Sequence, residues 1–201
     1  MRLTVDYYLA PHSPWTYLGH RRFAAMARAA GAHVNVRPVD LGQVFPATGG
    51  LALAQRSAQR RAYRLVELHR FSTHLQMPLK LAPRFFPVDP GLAARLLTAV
   101  AELDGSDAAM DLIETVTRGV WAEDRDIADS ATLATMLEAH GLPRSRLDDA
   151  AAARLQERYL AESREAIERG VFGAPTYVVD GELFWGQDRL DFVQRRLDMP
   201  G

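Results

Sequence analysis

Apolar and aromatic positions run from Leu3 to Leu9 with Thr4 and Asp6 interleaved, a pattern that predicts a strand. Ser13-Pro14 predicts the start of a helix, because serine is a preferred N-cap and proline suits the first helical position. That helix is expected to reach about Ala30 and to stop at Gly31. His33 to Val39 alternates apolar with polar and predicts a second strand. The opening of the chain thus reads strand, helix, strand, the start of an α/β unit.

The middle reads as helix. Ala52 to about Gln76 has neither glycine nor proline, whereas Met77 to Pro90 carries Pro78, Pro83, Pro87 and Pro90 and predicts loop. Asp89-Pro90 is a second cap-plus-proline start, with Ala93, Leu96, Leu97 and Val100 following at helical spacing. Further helices are expected over Ala108–Trp121, Ser130–His140 and Ala150–Arg169, the last ended by Gly170. The tail changes period. Thr176–Val179 is a β-branched run, Asp180-Gly181 is a hairpin signal, and Leu183-Phe184-Trp185 is the return strand before a helix over Asp188–Leu197.

Without the helical block the order is β-α-β-α-β-β-α. This predicts an α/β chain of thioredoxin-like fold with an inserted all-helical domain. The thioredoxin-like part is expected at 1–48 and 154–201 and the insertion at 49–153. The Ala150–Arg169 helix is expected to make a parallel crossover between His33–Val39 and Thr176–Val179.

Composition narrows the chemistry. A chain of 201 residues buries enough surface to need no staple. The formal net charge is −1, so no nucleic-acid partner is expected. No apolar run is long enough to span a membrane, and the start, Met1-Arg2-Leu3-Thr4-Val5-Asp6, has an acid where a signal peptide is apolar. A cytoplasmic protein is therefore expected. There is no cysteine, which removes disulfide exchange, thiolate metal sites and a cysteine nucleophile from the chain's own repertoire.

Thioredoxin-type chains hold their reactive group at the N-terminus of the first helix, where unpaired N–H groups and the helix dipole favour an anion. Here that place reads Ser13-Pro14-Trp15-Thr16. A thiolate supplied from outside would suit it, with Ser13 as a hydrogen-bond donor; read alone, Ser13 is equally a helix cap. A charge-assisted hydrogen bond of about 1.5–3 kcal/mol and a helix terminus of about 0.3–1 kcal/mol would lower a thiol pKa of ~8.5 by roughly one to three units. Ala174-Pro175 stands where this fold keeps a cis proline that exposes the preceding backbone. Trp185-Gly186-Gln187-Asp188-Arg189 is either a turn with a cap or a polar clamp. His12, beside Ser13, is a weaker candidate base. His69 and His74 are five apart, off a common helical face, and no metal site is expected.

Ser13-Pro14-Trp15-Thr16-Tyr17-Leu18-Gly19, together with Gly170 to Thr176 and Leu183 to Leu190, resembles the 2-hydroxychromene-2-carboxylate isomerase family, relatives of the kappa-class glutathione transferases. Trp121 to Ile127 and the region of Tyr63 resemble its helical segments. The resemblance covers nearly the whole chain. It implies a homodimer with glutathione as cofactor. It places Ser13 as the catalytic serine at the glutathione sulfur, Ala174 and Pro175 at the cysteinyl unit, and Gly186, Gln187 and Asp188 at the γ-glutamyl end, with Asp188 accepting from its ammonium. The implied reaction is isomerisation of 2-hydroxychromene-2-carboxylate to trans-o-hydroxybenzylidenepyruvate, by reversible thiolate addition and bond rotation. Lys80 and Arg84 are candidates for the substrate carboxylate. The chain departs from the family pattern at Ala10, at Pro11-His12 and at Gly49-Gly50-Leu51-Ala52. A kappa-type transferase or peroxidase, and a glutathione-binding module without turnover, remain the alternative readings.

Overall fold

The computed structural model describes residues 3–199; Met1 and Arg2 of the stretch read for a targeting signal lie outside them. Four strands form one sheet in the order β2-β1-β3-β4. They are β1 (Thr4–Leu9), β2 (His33–Pro38), β3 (Thr176–Val179) and β4 (Glu182–Trp185). β1 and β2 run parallel, with Val5 opposite Val34. β3 lies antiparallel to β1, with Val5 opposite Val179, and β4 returns antiparallel through the Asp180-Gly181 turn. The expected parallel crossover from His33–Val39 to Thr176–Val179 is therefore corrected. β3 pairs with β1 rather than β2 and runs opposite to both. All four β3 residues are buried, so it belongs inside the sheet between β1 and β4.

The two-residue period of β1 sorts its side chains between two layers. Val5, Tyr7 and Leu9 enter the larger core with Val34, Val36, Tyr177 and Val179. Tyr8 enters the opposite, smaller core with Val39, Val44, Ala166 and Val178. On the larger side Tyr7 stacks on Tyr177 with ring centroids 5.2 Å apart, and Phe23 of α1 (Pro14–Ala29) packs 4.7 Å and 4.5 Å from them. Each such pair adds roughly 0.5–1.5 kcal/mol beyond the area it buries.

The 41–48 stretch, unassigned by pattern, is α2 (Leu41–Thr48), capped by Asp40, whose side chain accepts from Gly42 N–H. The expected helix over Ala52–Gln76 begins later. A 3-10 turn at Leu53–Gln55 comes first, and α3 (Ala58–His74) starts where the Ser57 side chain accepts from Arg60 N–H. α4 (Gly91–Leu103), α5 (Ser106–Trp121) and α6 (Ser130–Ala139) follow near their expected places. The expected Ala150–Arg169 helix is two, α7 (Arg146–Ala151) and α8 (Ala153–Glu168), broken at Ala152 in extended backbone. Tertiary bonds hold α7 apart. Arg146 Nε and Nη2 bond Asp104 at 2.7 and 3.0 Å, and Arg95 Nε donates to Ala150 O at 2.8 Å. The tail helix starts as a 3-10 turn at Gln187–Arg189 and continues as α9 (Leu190–Leu197). α4, α5 and the sheet share the larger core, which runs from Val5 through Val100 to Leu137 without a break.

Candidate active site

The N-terminus of α1 is the focus of the site. Ser13 has extended backbone, its Oγ accepts from Thr16 N–H at 3.2 Å, and Pro14 fills the first helical position. The cap is real, and so is a second bond: Ser13 Oγ donates to Ala174 O at 3.4 Å. That distance is near the upper limit for such a bond, so the hydroxyl can be redirected at small cost. The Ala174-Pro175 bond is cis, as the fold match anticipates; Phe86-Pro87 is also cis, which nothing in the pattern marked. Ala174 N–H has no acceptor among the described residues. An edge of free backbone thus faces the helix terminus.

Gly186 and Gln187 close the far side. Gly186 N–H donates to Pro175 O at 2.9 Å, tying the β4 end to the proline. Gly186 has φ of 104°, and a Cβ there would lie 2.5 Å from Asp188 Oδ1, so only glycine suits the turn. Gln187 is buried, and its side chain accepts from Arg22, which also donates to Gln187 O at 3.0 Å. The Gln187 side-chain oxygen is therefore committed within the fold. Asp188 is half-exposed and pairs with Arg189 at 2.8 Å.

A cavity of about 610 Å³ opens between this edge and α3. Trp15, Phe45, Tyr63, Phe71, Ala174, Gly186, Gln187 and Asp188 are among its lining residues. Ser13, 5% exposed, is not itself among the lining residues; it bonds Ala174 O, and Ala174 and Trp15 line the chamber. Lys80 and Arg84 are not among the lining residues. The Lys80 ammonium pairs with Asp124, and Arg84 N–H donates to the same carboxylate at 2.9 Å. What lines the chamber instead is Arg56, Arg60 and Arg64 of the α3 segment. Their four-residue recurrence in an otherwise mixed helix is the signal that could have found them.

Two histidines near or on α1, His12 and His20, are kept neutral by burial. Burial lowers His12 to about 4 against the raising influence of Asp40 and Asp89; its Nδ1 is buried without a partner, and its O accepts from Trp121 Nε1 at 3.2 Å. Burial lowers His20 to about 4 as well. His20 Nε2 lies 2.8 Å from Met110 O, so that nitrogen carries the proton and Nδ1 accepts from Tyr7 OH at 3.3 Å. His69 and His74 lie on α3 and outside the lining. Among the described residues no group of three His, Asp or Glu side chains is placed to hold a metal ion, and no helix is long and apolar enough to cross a membrane.

Across residues 4–198 the chain matches the DSBA-like thioredoxin domain family. The chain belongs to that family. Within it, a 2-hydroxychromene-2-carboxylate isomerase of Sphingobium xenophagum is 29% identical over 98% of this chain and 99% of its own. One of Pseudomonas putida is 29% identical over 96% of this chain and 93% of its own. The solved structure of a selenomethionine 2-hydroxychromene-2-carboxylate isomerase superposes with a TM-score of 0.79 at 28% identity, covering 96% of this chain and 94% of that one. The match runs through both the sheet and the helical segment, so the family's fold is common to the whole described chain.

Proposed function

We propose that this chain is a glutathione-dependent isomerase of 2-hydroxychromene-2-carboxylate or a closely similar aromatic carboxylate. One observation carries the reading: Ser13 Oγ faces the free backbone edge of Ala174 across a helix N-terminus, in a chain that has no cysteine. Relatives of nearly the same length bear this isomerase name, which favours it over a transferase acting on other electrophiles.

The residues present fit glutathione. Ala174 offers N–H and a weakly engaged C=O to the cysteinyl unit of an extended peptide. Asp188, half-exposed at the cavity wall, can accept from the γ-glutamyl ammonium by turning from Arg189. Gly186 permits close approach there, and Gln187, whose side-chain oxygen is held by Arg22, keeps its amide NH2 to donate. Pro175 fixes the Ala174 edge. When bound, glutathione would supply a thiolate that adds reversibly to a conjugated substrate, turning a double bond into one that can rotate.

The chain's own work is electrostatic. Ser13 turns its hydroxyl from Ala174 O to donate to sulfur. The first-turn N–H of Trp15, which has no intrahelical acceptor by position, adds a partial positive charge. Together these are worth roughly one to three units of thiol pKa. Trp15 and Phe71, in edge contact at 6.1 Å, wall the chamber and keep water from the reacting carbons. The reading further takes the chain as a homodimer, as the family resemblance implies, and as cytoplasmic. An absorbance assay on the chromene acid tests it: conversion requiring reduced glutathione is expected. Conversion without the tripeptide, or none with it while it binds, contradicts the reading.

A further inference from the structure

The cavity holds a cation that no carboxylate among the described residues pairs. Arg64 is half-buried on α3 and lines the chamber. Its guanidinium carbon sits 5.5 Å from the Phe86 ring centroid and 5.6 Å from that of Trp121. Yet it has no hydrogen-bond acceptor and no carboxylate partner among the described residues. Half-burying a charge without a counter-ion carries a cost that an anion entering the chamber would relieve. The lining's own acids are engaged elsewhere: Glu67 pairs with Arg70 at 2.7 Å, and Asp188 with Arg189 at 2.8 Å. Arg56 donates to Leu51 O at 2.9 Å, and Arg60 is exposed, so water satisfies it. Burial, reinforced by Arg56, lowers the Arg64 pKa to about 10, which still leaves it charged at neutral pH.

Position gives the vacant donors a direction. The indole that Arg64 stacks on donates from Trp121 Nε1 to His12 O at 3.2 Å, and His12 precedes Ser13. Arg64 thus stands one indole away from the α1 terminus, whereas Arg56 lies against Phe45. A guanidinium whose face is covered by rings keeps its edge donors, the arrangement that takes a carboxylate in a two-point clamp. Beside it the walls are aromatic: Trp15, Tyr63 and Phe71.

We propose that Arg64 is the specificity-determining residue of the chamber. It clamps the carboxylate of a planar, conjugated aromatic acid and sets the conjugated carbons toward Ser13. Lys80, paired with Asp124, and Arg84, whose guanidinium lies over Phe85, are outside the lining and have no part in this. The inference rests on the isomerase reading for its substrate class but not for its test.

Cinnamate and its uncharged amide are titrated against the full-length protein through tryptophan fluorescence, with glutathione affinity measured by calorimetry. The wild type is expected to prefer the acid by about tenfold or more, the scale of a charge-assisted hydrogen bond. Arg64→Met should erase the preference while changing amide and glutathione affinities by less than about twofold, and Arg64→Lys should restore part of it. On the chromene acid, Arg64→Met should raise KM more than it lowers kcat. A wild type without preference overturns the inference, as does Arg64→Met that keeps the preference, weakens both ligands alike or loses glutathione. Arg64-dependent preference without turnover of the chromene acid leaves the clamp standing and refutes the isomerase reading; turnover with an unchanged preference does the reverse.

Discussion

At the scale of single residues, the account turns on side chains with two partners. Ser13 caps α1 through Thr16 and reaches Ala174 O at a length that leaves it free to move. Ser13→Ala removes a cap and a donor together. Loss of a cap costs about 0.5–2 kcal/mol of stability. Loss of a donor to a charged sulfur should lower kcat/KM by about 10- to 100-fold, on the scale of 1.5–3 kcal/mol. Turnover unchanged within twofold, with only the melting temperature lowered, would reduce Ser13 to its capping role. His20 gives a pH signature. Its pKa is about 4 in the fold and about 6.5 when unfolded, so the unfolded chain binds the proton first. Its full contribution is present above pH ~6.5 and is lost as pH falls toward ~4, by roughly 3 kcal/mol at most. Denaturant unfolding between pH 7 and 4.5 should show that loss, and a flatter profile in His20→Gln. Identical profiles would contradict the assignment.

At the scale of elements, Arg37 fastens the sheet to its cover. Its Nε donates to Asp6 of β1 at 2.9 Å and its Nη1 to Glu162 of α8, while Glu165 lies 3.3 Å away. Arg37→Met keeps the stem but leaves Asp6 and Glu162, both largely buried, without their shared cation. Destabilisation of about 1–3 kcal/mol is expected in denaturant unfolding, less than for a fully buried pair because Arg37 is partly solvated. No change would mean that α8 is held by its other contacts, among them the Arg169–Asp6 pair and the bond from Asp40 N–H to Ser163 Oγ, both at 2.9 Å. This same link shows what the sequence concealed. Strands, caps and the Asp180-Gly181 hairpin were legible because each follows from local alternation or from a residue's own backbone preference. α2 was not, because its eight residues carry a proline and bury only Val44. The break at Ala152 was not, because bonds from Asp104 and Arg95 impose it from distant sequence. The pairing of β3 with β1 is a similar case: direction in a sheet is decided by neighbours absent from the strand's own pattern. In the site, the serine, the proline and the Gly186 turn were readable as motifs. The Arg56–Arg60–Arg64 row carried a spacing signal, but only the fold turns it toward the chamber.

At the scale of the whole molecule, a DSBA-like thioredoxin domain is present here in a chain that carries no cysteine of its own. The sheet still presents a helix terminus to a proline edge, and the helical segment adds an aromatic, cationic wall. In the proposed reading the fold separates two tasks: the sheet side would take a peptide backbone and favour an anion, and α3 would supply shape and positive charge. The direct test is the ionisation of the glutathione thiol on the protein, read from thiolate absorbance in the ultraviolet across pH at saturating protein. A bound thiol titrating about one to three units below its free value of ~8.5, and moving back toward it in Ser13→Ala, is the predicted result. A bound thiol with its free pKa, or no saturable binding of the tripeptide, would contradict the claim that this helix terminus holds a thiolate.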